Sequence, residues 1–221
     1  MVTIQLLNDS KSFVYTLGDD RYLQLAKAFN FGKDGKTTAL TAKNVILATG
    51  ALPRVPDLPT DGQIQIATAW DLLQNTVKPG AHVVVADWRC DWIGPGIAER
   101  LVRAGHQVQL AVNGTHCGEN LPLYVRDQLA GELHRLGIPV TPYARLYGCD
   151  DNTVYLQHTA SGDPMIFEDI DTLVLCMGHQ PQDRLATELA GVVDVRRIGD
   201  CLAPRTAEEA IHDGLTVAWA L

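Results

Sequence analysis

The sequence is short of several features, and each shortage excludes a class of protein. Five cysteines are scattered through 221 residues with no Cys-x-x-Cys spacing, so neither a zinc site nor a disulfide framework is expected. No apolar run reaches the about 18 residues that a membrane-spanning helix needs. The net charge of −8 comes without the clustered Lys and Arg that would neutralise nucleic-acid phosphates. We therefore expect neither a membrane nor a nucleic acid as partner.

A secretion signal and a catalytic constellation are also missing. The N-terminus has no basic region followed by an apolar core, which predicts a cytoplasmic protein with reduced, mostly buried thiols. The seven histidines do not show the spacing of metal ligands, and no Ser/His/Asp arrangement is readable. We predict no catalytic residue and no metal ligand in this chain.

Strands and helices alternate regularly from residue 81 onward. Apolar runs predict strands at 82–86, 107–112 and 172–176, and helical spacing predicts helices at 94–104 and 123–136. This order is typical of an α/β fold with a doubly wound, Rossmann-like parallel sheet. Residues 143–168 read as an antiparallel meander.

The first 59 residues are less regular. We predict two strands at 2–7 and 12–16, then a helix capped by Asp19 or Asp20 and a turn at 33–36. The apolar run 44–48 predicts a strand buried on both faces. Three prolines between residues 52 and 59 indicate an irregular connection.

Two short segments have the composition of a ligand site. Ala48, Thr49 and Gly50 end one apolar strand, and Gly199-Asp200 end another, shortly before a closing helix that starts near Thr206 and Ala207. Ligands bind at the carboxyl edge of open α/β sheets. Glycine permits close approach, Asp200 can accept hydroxyl hydrogen bonds, and the helix N-terminus favours a phosphate. The alternative is that Gly199-Asp200 is only a turn with a helix cap.

The prediction that follows concerns strand pairing. Segments 44–50 and 171–200 both contain fully apolar strands that end at this presumed ligand edge. We expect them side by side in one sheet, with Leu47 and Val174 in that same sheet.

These segments resemble the two later nucleotide-site signatures of the two-dinucleotide-binding-domain flavoproteins, such as glutathione reductase. A closer resemblance is to the C-terminal half of the old-yellow-enzyme-related NADH:flavin oxidoreductases. That group contains 2,4-dienoyl-CoA reductase, trimethylamine and histamine dehydrogenases, and N-methylproline demethylases. The resemblance rests on AWDLL at 69–73, VVADW at 84–88, LAVNG at 110–114 and PRTAEEA at 204–210.

The resemblance implies a domain order. Such proteins have an N-terminal barrel with FMN and an iron–sulfur cluster, followed by an FAD- or ADP-binding domain with an inserted NAD(P)-type domain. Residues 1–50 and 171–221 would be the two segments of a partial FAD-type domain, and 51–170 the inserted domain. The implied function is a nucleotide-binding, electron-relay portion of an amine dehydrogenase, demethylase or enoate reductase. The alternative is a non-catalytic nucleotide-fold module that supports assembly of the parent enzyme.

The sequence departs from this pattern in its flavin-type part. No Gly-x-Gly precedes Ala48, although that turn normally holds the pyrophosphate on a helix N-terminus. We therefore expect FAD or ADP to bind weakly or at a vestigial site. The barrel, with its FMN and cluster, is not in this sequence. The expected partners are that barrel domain, a partner chain that completes the site, or a second copy of this chain.

The inserted part departs as well. The loop after its first strand and the helix that follows carry Asp87, Trp88, Trp92, Gly94, Gly96 and Glu99. The dinucleotide fingerprint fails there in spacing and in its last residue, and we expect the carboxylate of Asp87 to face the phosphates. The tryptophans could stack on adenine or on a neighbouring domain, or the loop could plug the site. We expect weak NAD(P)H binding, and Asn113 does not discriminate NAD from NADP.

Overall fold

A computed structural model describes residues 2–8, 11–17, 45–60, 62–191 and 194–220. The chain divides into two compact units. One, the flavin-type unit, combines Met1–Leu52 with His179–Leu221, and the other, the inserted unit, is Pro53–Gly178. The predicted helix after Asp19 and Asp20 and the predicted turn at 33–36 lie outside the described residues. Over the described ranges, no helix is long and apolar enough to cross a membrane.

The inserted unit contains a five-stranded parallel sheet. Its order is β5-β12-β6-β7-β8, formed by Gln65–Thr68, Thr172–Cys176, His82–Asp87, Gln107–Val112 and Val140–Thr141. The central strands are continuous runs of buried apolar side chains, as a sheet covered on both faces requires.

The two faces of this sheet are covered differently. Alternate residues of β6 divide between two cores, with Val83 and Val85 in one and Val84 in the other. The first core packs against three helices, α1 (Ala69–Leu73), α2 (Ile93–Arg103) and α3 (Leu123–Arg135). The second packs against a meander of β9 (Ala144–Asp150), β10 (Thr153–His158) and β11 (Pro164–Phe167). The predicted Rossmann-like sheet with an antiparallel meander is confirmed.

The flavin-type unit contains a four-stranded sheet of order β14-β3-β1-β2. Its strands are Val195–Arg197, Val45–Ala48, Val2–Asn8 and Lys11–Leu17, which confirms the predicted N-terminal strands and the strand at 44–48. β14 runs parallel to β3, whereas β1 runs antiparallel to it. The remaining elements are β4 (Ala51–Pro53), which pairs with β13 (His179–Pro181), helix α4 (Arg184–Glu188), a 3-10 turn at Gly199–Cys201 and helix α5 (Ala207–Trp219).

The prediction that Leu47 and Val174 share one sheet is wrong, although a later strand of segment 171–200 does pair with the strand at 44–50. β14 does lie beside β3, with Val195 opposite Val45. Strand β12 instead lies between β5 and β6, where Val174 pairs with Val85, so Leu47 and Val174 are in different sheets. Both β12 and β14 are short strands that end at a carboxyl edge, and their composition does not determine which strands they pair with. The inserted unit consequently extends to Gly178 and not to residue 170.

All five cysteines are free and buried, as predicted.

Candidate nucleotide-binding edges

The first candidate site is the carboxyl edge of β3 and β14. Because these strands are parallel neighbours, the residues that follow them emerge at the same edge of the sheet. Thr49 and Gly50 follow β3, and Gly199 and Asp200 follow β14. The pairing continues to the edge, where the Ile198 N–H donates to the Leu47 carbonyl at 3.0 Å. The fold thus brings together two predicted segments that are about 150 residues apart.

The backbone of Gln182 joins these two segments. The buried Thr49 hydroxyl donates to the Gln182 carbonyl, and the Gln182 N–H donates to the Gly50 carbonyl at 2.9 Å. The Cys201 thiol donates to the same Gln182 carbonyl at 3.4 Å. Sequence reasoning missed Gln182, because it acts through main-chain atoms that every residue type carries.

Gly199 occupies a position that requires glycine. Its φ of 59° lies in the left-handed region, and a Cβ there would lie 3.4 Å from the Cβ of Ala210 on α5. Its N–H donates to Asp213 Oδ2 at 3.1 Å. The turn therefore packs directly against the final helix, which Gly199 contacts through its backbone.

Asp200 is half-buried and lies six residues before the N-cap of the closing helix, Thr206. Its Oδ1 accepts the Arg205 N–H at 3.2 Å, which orients the carboxylate. An ionised carboxylate has about four acceptor sites, so this bond leaves capacity for ligand hydroxyls. The geometry suits the predicted role of a hydroxyl acceptor.

The N-terminus of α5 is less suited to a phosphate than the sequence predicted. Thr206 is the N-cap, and Glu209 accepts its N–H at 2.9 Å and also its hydroxyl. These hydrogen bonds, with that of the hydroxyl first, lower the pKa of Glu209. Glu208 and Glu209 thus place two carboxylates in the first turn beside Ala207, where an added phosphate would compete with them.

The second candidate site is the carboxyl edge of β6, where Asp87 differs from the prediction. Asp87 is only 2% exposed and does not face a ligand. Its Oδ1 accepts the Cys90 N–H at 3.0 Å, while Oδ2 is buried and has no hydrogen-bond partner among the described residues. Burial is the main cause that raises its pKa to about 7. The predicted phosphate-facing carboxylate is in fact packed inside the unit.

Gly94 allows helix α2 to approach this carboxyl group. A Cβ at Gly94 would lie 2.6 Å from Asp87 Oδ2, which is closer than atoms can approach. Gly96 is different, since no described atom lies within 4 Å of a Cβ placed there. Of the two glycines in the incomplete dinucleotide fingerprint, Gly94 is needed for internal packing and Gly96 faces open space.

Three backbone donors of this loop, the N–H groups of Trp88, Cys90 and Ile93, are bound within the chain. The Trp88 N–H donates to the Cys176 carbonyl at 3.1 Å, and the Ile93 N–H donates to Asp91 Oδ1 at 2.9 Å. Asp91 also pairs with Arg89 at 2.9 Å. These contacts use N–H groups with which a dinucleotide loop would bind pyrophosphate.

The other predicted groups of the loop are more peripheral. Trp88 and Trp92 are exposed, at 42% and 59%. Glu99 pairs with Arg103 one turn further along α2, at 2.8 Å. Asn113 binds Asp87 only through its main chain, since its N–H donates to the Asp87 carbonyl at 2.9 Å.

Three buried thiols, those of Cys90, Cys117 and Cys176, interact electrostatically with Asp87. Burial is the largest cause that raises the pKa of Cys90 to about 11 and of Cys117 to about 12, with the charge of Asp87 adding to it. Burial also raises the pKa of Cys176 well above its ordinary value. Protonated thiols are poor nucleophiles and poor metal ligands. Within the described part of the chain, no three His, Cys, Asp or Glu residues are grouped to hold a metal ion.

Two cavities lie away from both edges. One of about 790 Å³ lies on the meander between Pro59, Tyr147 and Tyr155. Another of about 570 Å³ lies beside α3, near His116 and Arg126. Neither of these two cavities is lined by a predicted site residue.

Two units that each present the carboxyl edge of parallel strands have an architecture in which nucleotides are commonly bound. The chain belongs to the pyridine nucleotide-disulphide oxidoreductase family, whose model matches residues 15–199. This match confirms the predicted relationship to flavoproteins. It supports the prediction that the chain corresponds to a nucleotide-binding, electron-transfer part of flavin-dependent oxidoreductases.

Relatives with known names extend this finding. The chain is 25% identical over 224 residues to N,N-dimethylglycine/sarcosine dehydrogenase of Chromohalobacter salexigens, covering 78% of this chain and 31% of that protein. It is 26% identical over 230 residues to the probable N-methylproline demethylase of Rhizobium meliloti, covering 87% and 33%. The solved histamine dehydrogenase from Rhizobium sp. 4-9 shares the fold, with a TM-score of 0.73 at 20% identity over 80% of this chain and 30% of that one. The chain thus spans about a third of these relatives.

Proposed function

We propose that this chain is the nucleotide-binding, electron-relay portion of a larger flavin-dependent oxidoreductase, and that the β3–β14 edge holds the FAD or ADP moiety. The observation that carries the proposal is the joining of Thr49, Gly50 and Cys201, which follows Gly199-Asp200, into one edge through the backbone of Gln182. The names of the relatives, which are dehydrogenases and a demethylase, support an oxidoreductase as the parent.

The residues present fit one half of such a nucleotide. Gly199 and Gly50 allow a ligand to approach the backbone, and Asp200 would accept hydroxyl hydrogen bonds from a ribityl or ribose chain. Ala48, Thr206 and Ala207 would complete the walls of this site. The acidic first turn of α5 and the missing glycine-rich turn do not fit the pyrophosphate. The flavin would supply the hydride chemistry, and this chain would bind and orient it.

The inserted unit is proposed to bind NAD(P)H weakly. The reason is different from charge repulsion at an exposed Asp87. Three of the loop N–H donors are bound internally, and α2 is packed onto the buried carboxyl of Asp87. This state of the loop also favours the second candidate function, a non-catalytic module that supports assembly of the parent enzyme.

The test of the first edge is calorimetric titration of the chain with FAD and ADP. Asp200→Ala should weaken binding by about 1–3 kcal/mol, the range for losing a charged hydrogen-bond acceptor. Asp194→Ala is the matched control, since it removes an exposed carboxylate just before β14, at the opposite end of the same strand. Equal affinity of the Asp200→Ala variant and wild type would show that this edge does not hold the nucleotide. Absence of any binding would favour the assembly module.

A further inference from the structure

The cavity beside α3 has the features of a small-molecule site that neither nucleotide edge accounts for. It lies in the inserted unit, of which every residue except residue 61 is described, where α3 meets the edge strand β8. Its volume of about 570 Å³ falls within the range of ligand pockets, about 300–1,000 Å³. No residue of the segment 87–103 lines it, so this cavity is separate from the incomplete dinucleotide fingerprint.

One part of the cavity wall is apolar. Leu133 of α3 and Ile138, just before β8, are 2% and 5% exposed and belong to the core of the inserted unit. Ala130 lies three residues before Leu133 and therefore on the same side of α3. Val140 of β8 also lines the cavity. A ligand here would bury apolar surface against the outermost side chains of the core.

The polar end of the cavity contains an ordered chain of hydrogen bonds. Arg126 Nη1 donates to His116 Nε2 at 2.8 Å, because a guanidinium can only donate. The proton of the neutral imidazole is then on Nδ1, which donates to the Thr115 hydroxyl oxygen at 2.7 Å. This bond uses the hydroxyl as an acceptor and leaves its own proton for a ligand. The chain therefore ends in a donor at Thr115, a residue that lines the cavity.

Arg126 has further donors for an anion. In the part of the chain that the structure describes, its guanidinium makes no hydrogen bond other than that to His116, and its Nε lies 3.7 Å from Asp127 Oδ1. The remaining N–H groups form a planar fork that matches a carboxylate. Asp127 also lines the cavity, and its negative charge would repel a dianion more strongly than a monoanion. The charges thus favour a carboxylate over a phosphate.

We propose that this cavity binds a small organic monocarboxylate with an apolar body, of the aromatic or branched aliphatic class. Arg126 and Thr115 would bind the carboxylate, while Ala130 and Leu133 would contact the apolar body. Such a ligand would link α3 to the loop at 115–117 and stabilise the inserted unit. The proposal concerns the inserted unit alone and does not depend on nucleotide binding at either sheet edge.

Titration of the full chain with phenylacetate, followed by heteronuclear NMR of the backbone amides, tests this proposal. We expect saturable shifts at residues 115, 116, 130 and 133 with a dissociation constant below about 1 mM, a value within reach of a ligand of about ten heavy atoms. Phenylacetamide has the same body without the charge and should bind at least about tenfold more weakly. Phenyl phosphate should also bind more weakly than phenylacetate.

Three results of this titration would overturn the proposal. Absence of saturable shifts at these residues would show that the cavity is not a carboxylate site. Equal affinity for phenylacetate and phenylacetamide would show apolar contact only. Tighter binding of phenyl phosphate would show a site for phosphates.

Variants of α3 separate the two parts of the site. Arg126→Gln should weaken phenylacetate binding at least about tenfold and remove the preference over the amide, because the charged fork is lost. Arg135→Gln is the matched control, since Arg135 lies on the same helix and does not line the cavity. It should leave the dissociation constant unchanged. Wild-type affinity in Arg126→Gln, or an equal loss in Arg135→Gln, would contradict the assigned role of Arg126.

Ala130→Leu tests the apolar part without altering a donor. Residue 130 is exposed on α3, so the larger side chain should be accepted by the fold and extend into the cavity. Binding of phenylacetate should weaken at least about fivefold, because the added methyl groups occupy the space of the ligand. Circular dichroism at increasing temperature checks that each variant is folded. Unchanged affinity in a folded Ala130→Leu variant would overturn the placement of the ligand.

Discussion

At the scale of single residues, Asp87 has the clearest physical consequence. Its carboxyl is buried, one oxygen has no hydrogen-bond partner in the part of the chain that the structure describes, and its pKa is raised to about 7 from 3.8. At pH values between these two pKa values, Asp87 is ionised in the unfolded chain and protonated in the folded chain. The folded state therefore binds more protons, and its stability falls as the pH rises.

This shift predicts a pH-dependent stability. Asp87 should contribute a decrease of roughly 4 kcal/mol to the free energy of unfolding between about pH 4 and pH 7, and little change above that. Asp87→Asn should remove most of this decrease, because the amide keeps the shape and does not titrate. Urea unfolding at several pH values, followed by tryptophan fluorescence, measures the effect. Three of the four tryptophans lie in this unit.

Asp163→Asn is the control for this prediction, since Asp163 is exposed in a turn of the same unit. It should keep the pH dependence of the wild type. If Asp87→Asn kept it too, the buried carboxyl would not be its source. The neighbouring thiols titrate above this range and do not contribute to it.

At the scale of elements, the β6–α2 connection determines what the inserted unit can bind. Gly94→Ala should destabilise the unit by about 1–3 kcal/mol, because the new Cβ would overlap the Asp87 carboxyl. The double variant Asp87→Gly/Gly94→Ala should recover part of that loss, because it removes Cβ, Cγ and Oδ2 of Asp87, the three atoms that the new Cβ would overlap. Thermal unfolding of the two variants and wild type measures both effects. No recovery in the double variant would show that the overlap is not the cause.

The same connection predicts weak binding of nicotinamide nucleotides. Titration calorimetry with NADH and NADPH should give dissociation constants above about 100 μM, equivalent to about 5.5 kcal/mol of binding free energy. Gly96→Ala is the informative variant, since its methyl group enters open space and leaves the packing intact. We expect no change in it. Low-micromolar binding that Gly96→Ala abolishes would instead establish this edge as a working nucleotide site.

Much of the element content follows from local sequence. β7 and β12 match their predicted limits, and α2 and α3 end just before Gly105 and Gly137. Continuous apolar runs and glycines that end helices are local signals, so these elements can be predicted without knowledge of the tertiary contacts. β13 and α4 were missed because elements of three to five residues are too short to show a period.

At the scale of the whole molecule, the division into units could only partly be predicted. The two-unit organisation followed from the resemblance, yet β12 was assigned to the wrong unit. Its five apolar residues fit either sheet, and the choice depends on pairing with β5 and β6. The orientation of the Asp87 side chain was wrongly predicted for the same reason, since a carboxylate that follows a strand can face either a ligand or the core. Contacts over long sequence separation decide both cases.

The central claim is that this chain binds a flavin nucleotide at an edge that lacks the glycine-rich turn. The most direct measurement is the absorption spectrum of the purified chain before and during titration with FAD. We predict a colourless protein that binds FAD saturably with a dissociation constant weaker than about 1 μM, because the pyrophosphate loses the turn and helix N-terminus that normally hold it. A stoichiometrically yellow protein would contradict the claim that the site is incomplete. No binding at any FAD concentration would contradict the claim that the β3–β14 edge is a nucleotide site.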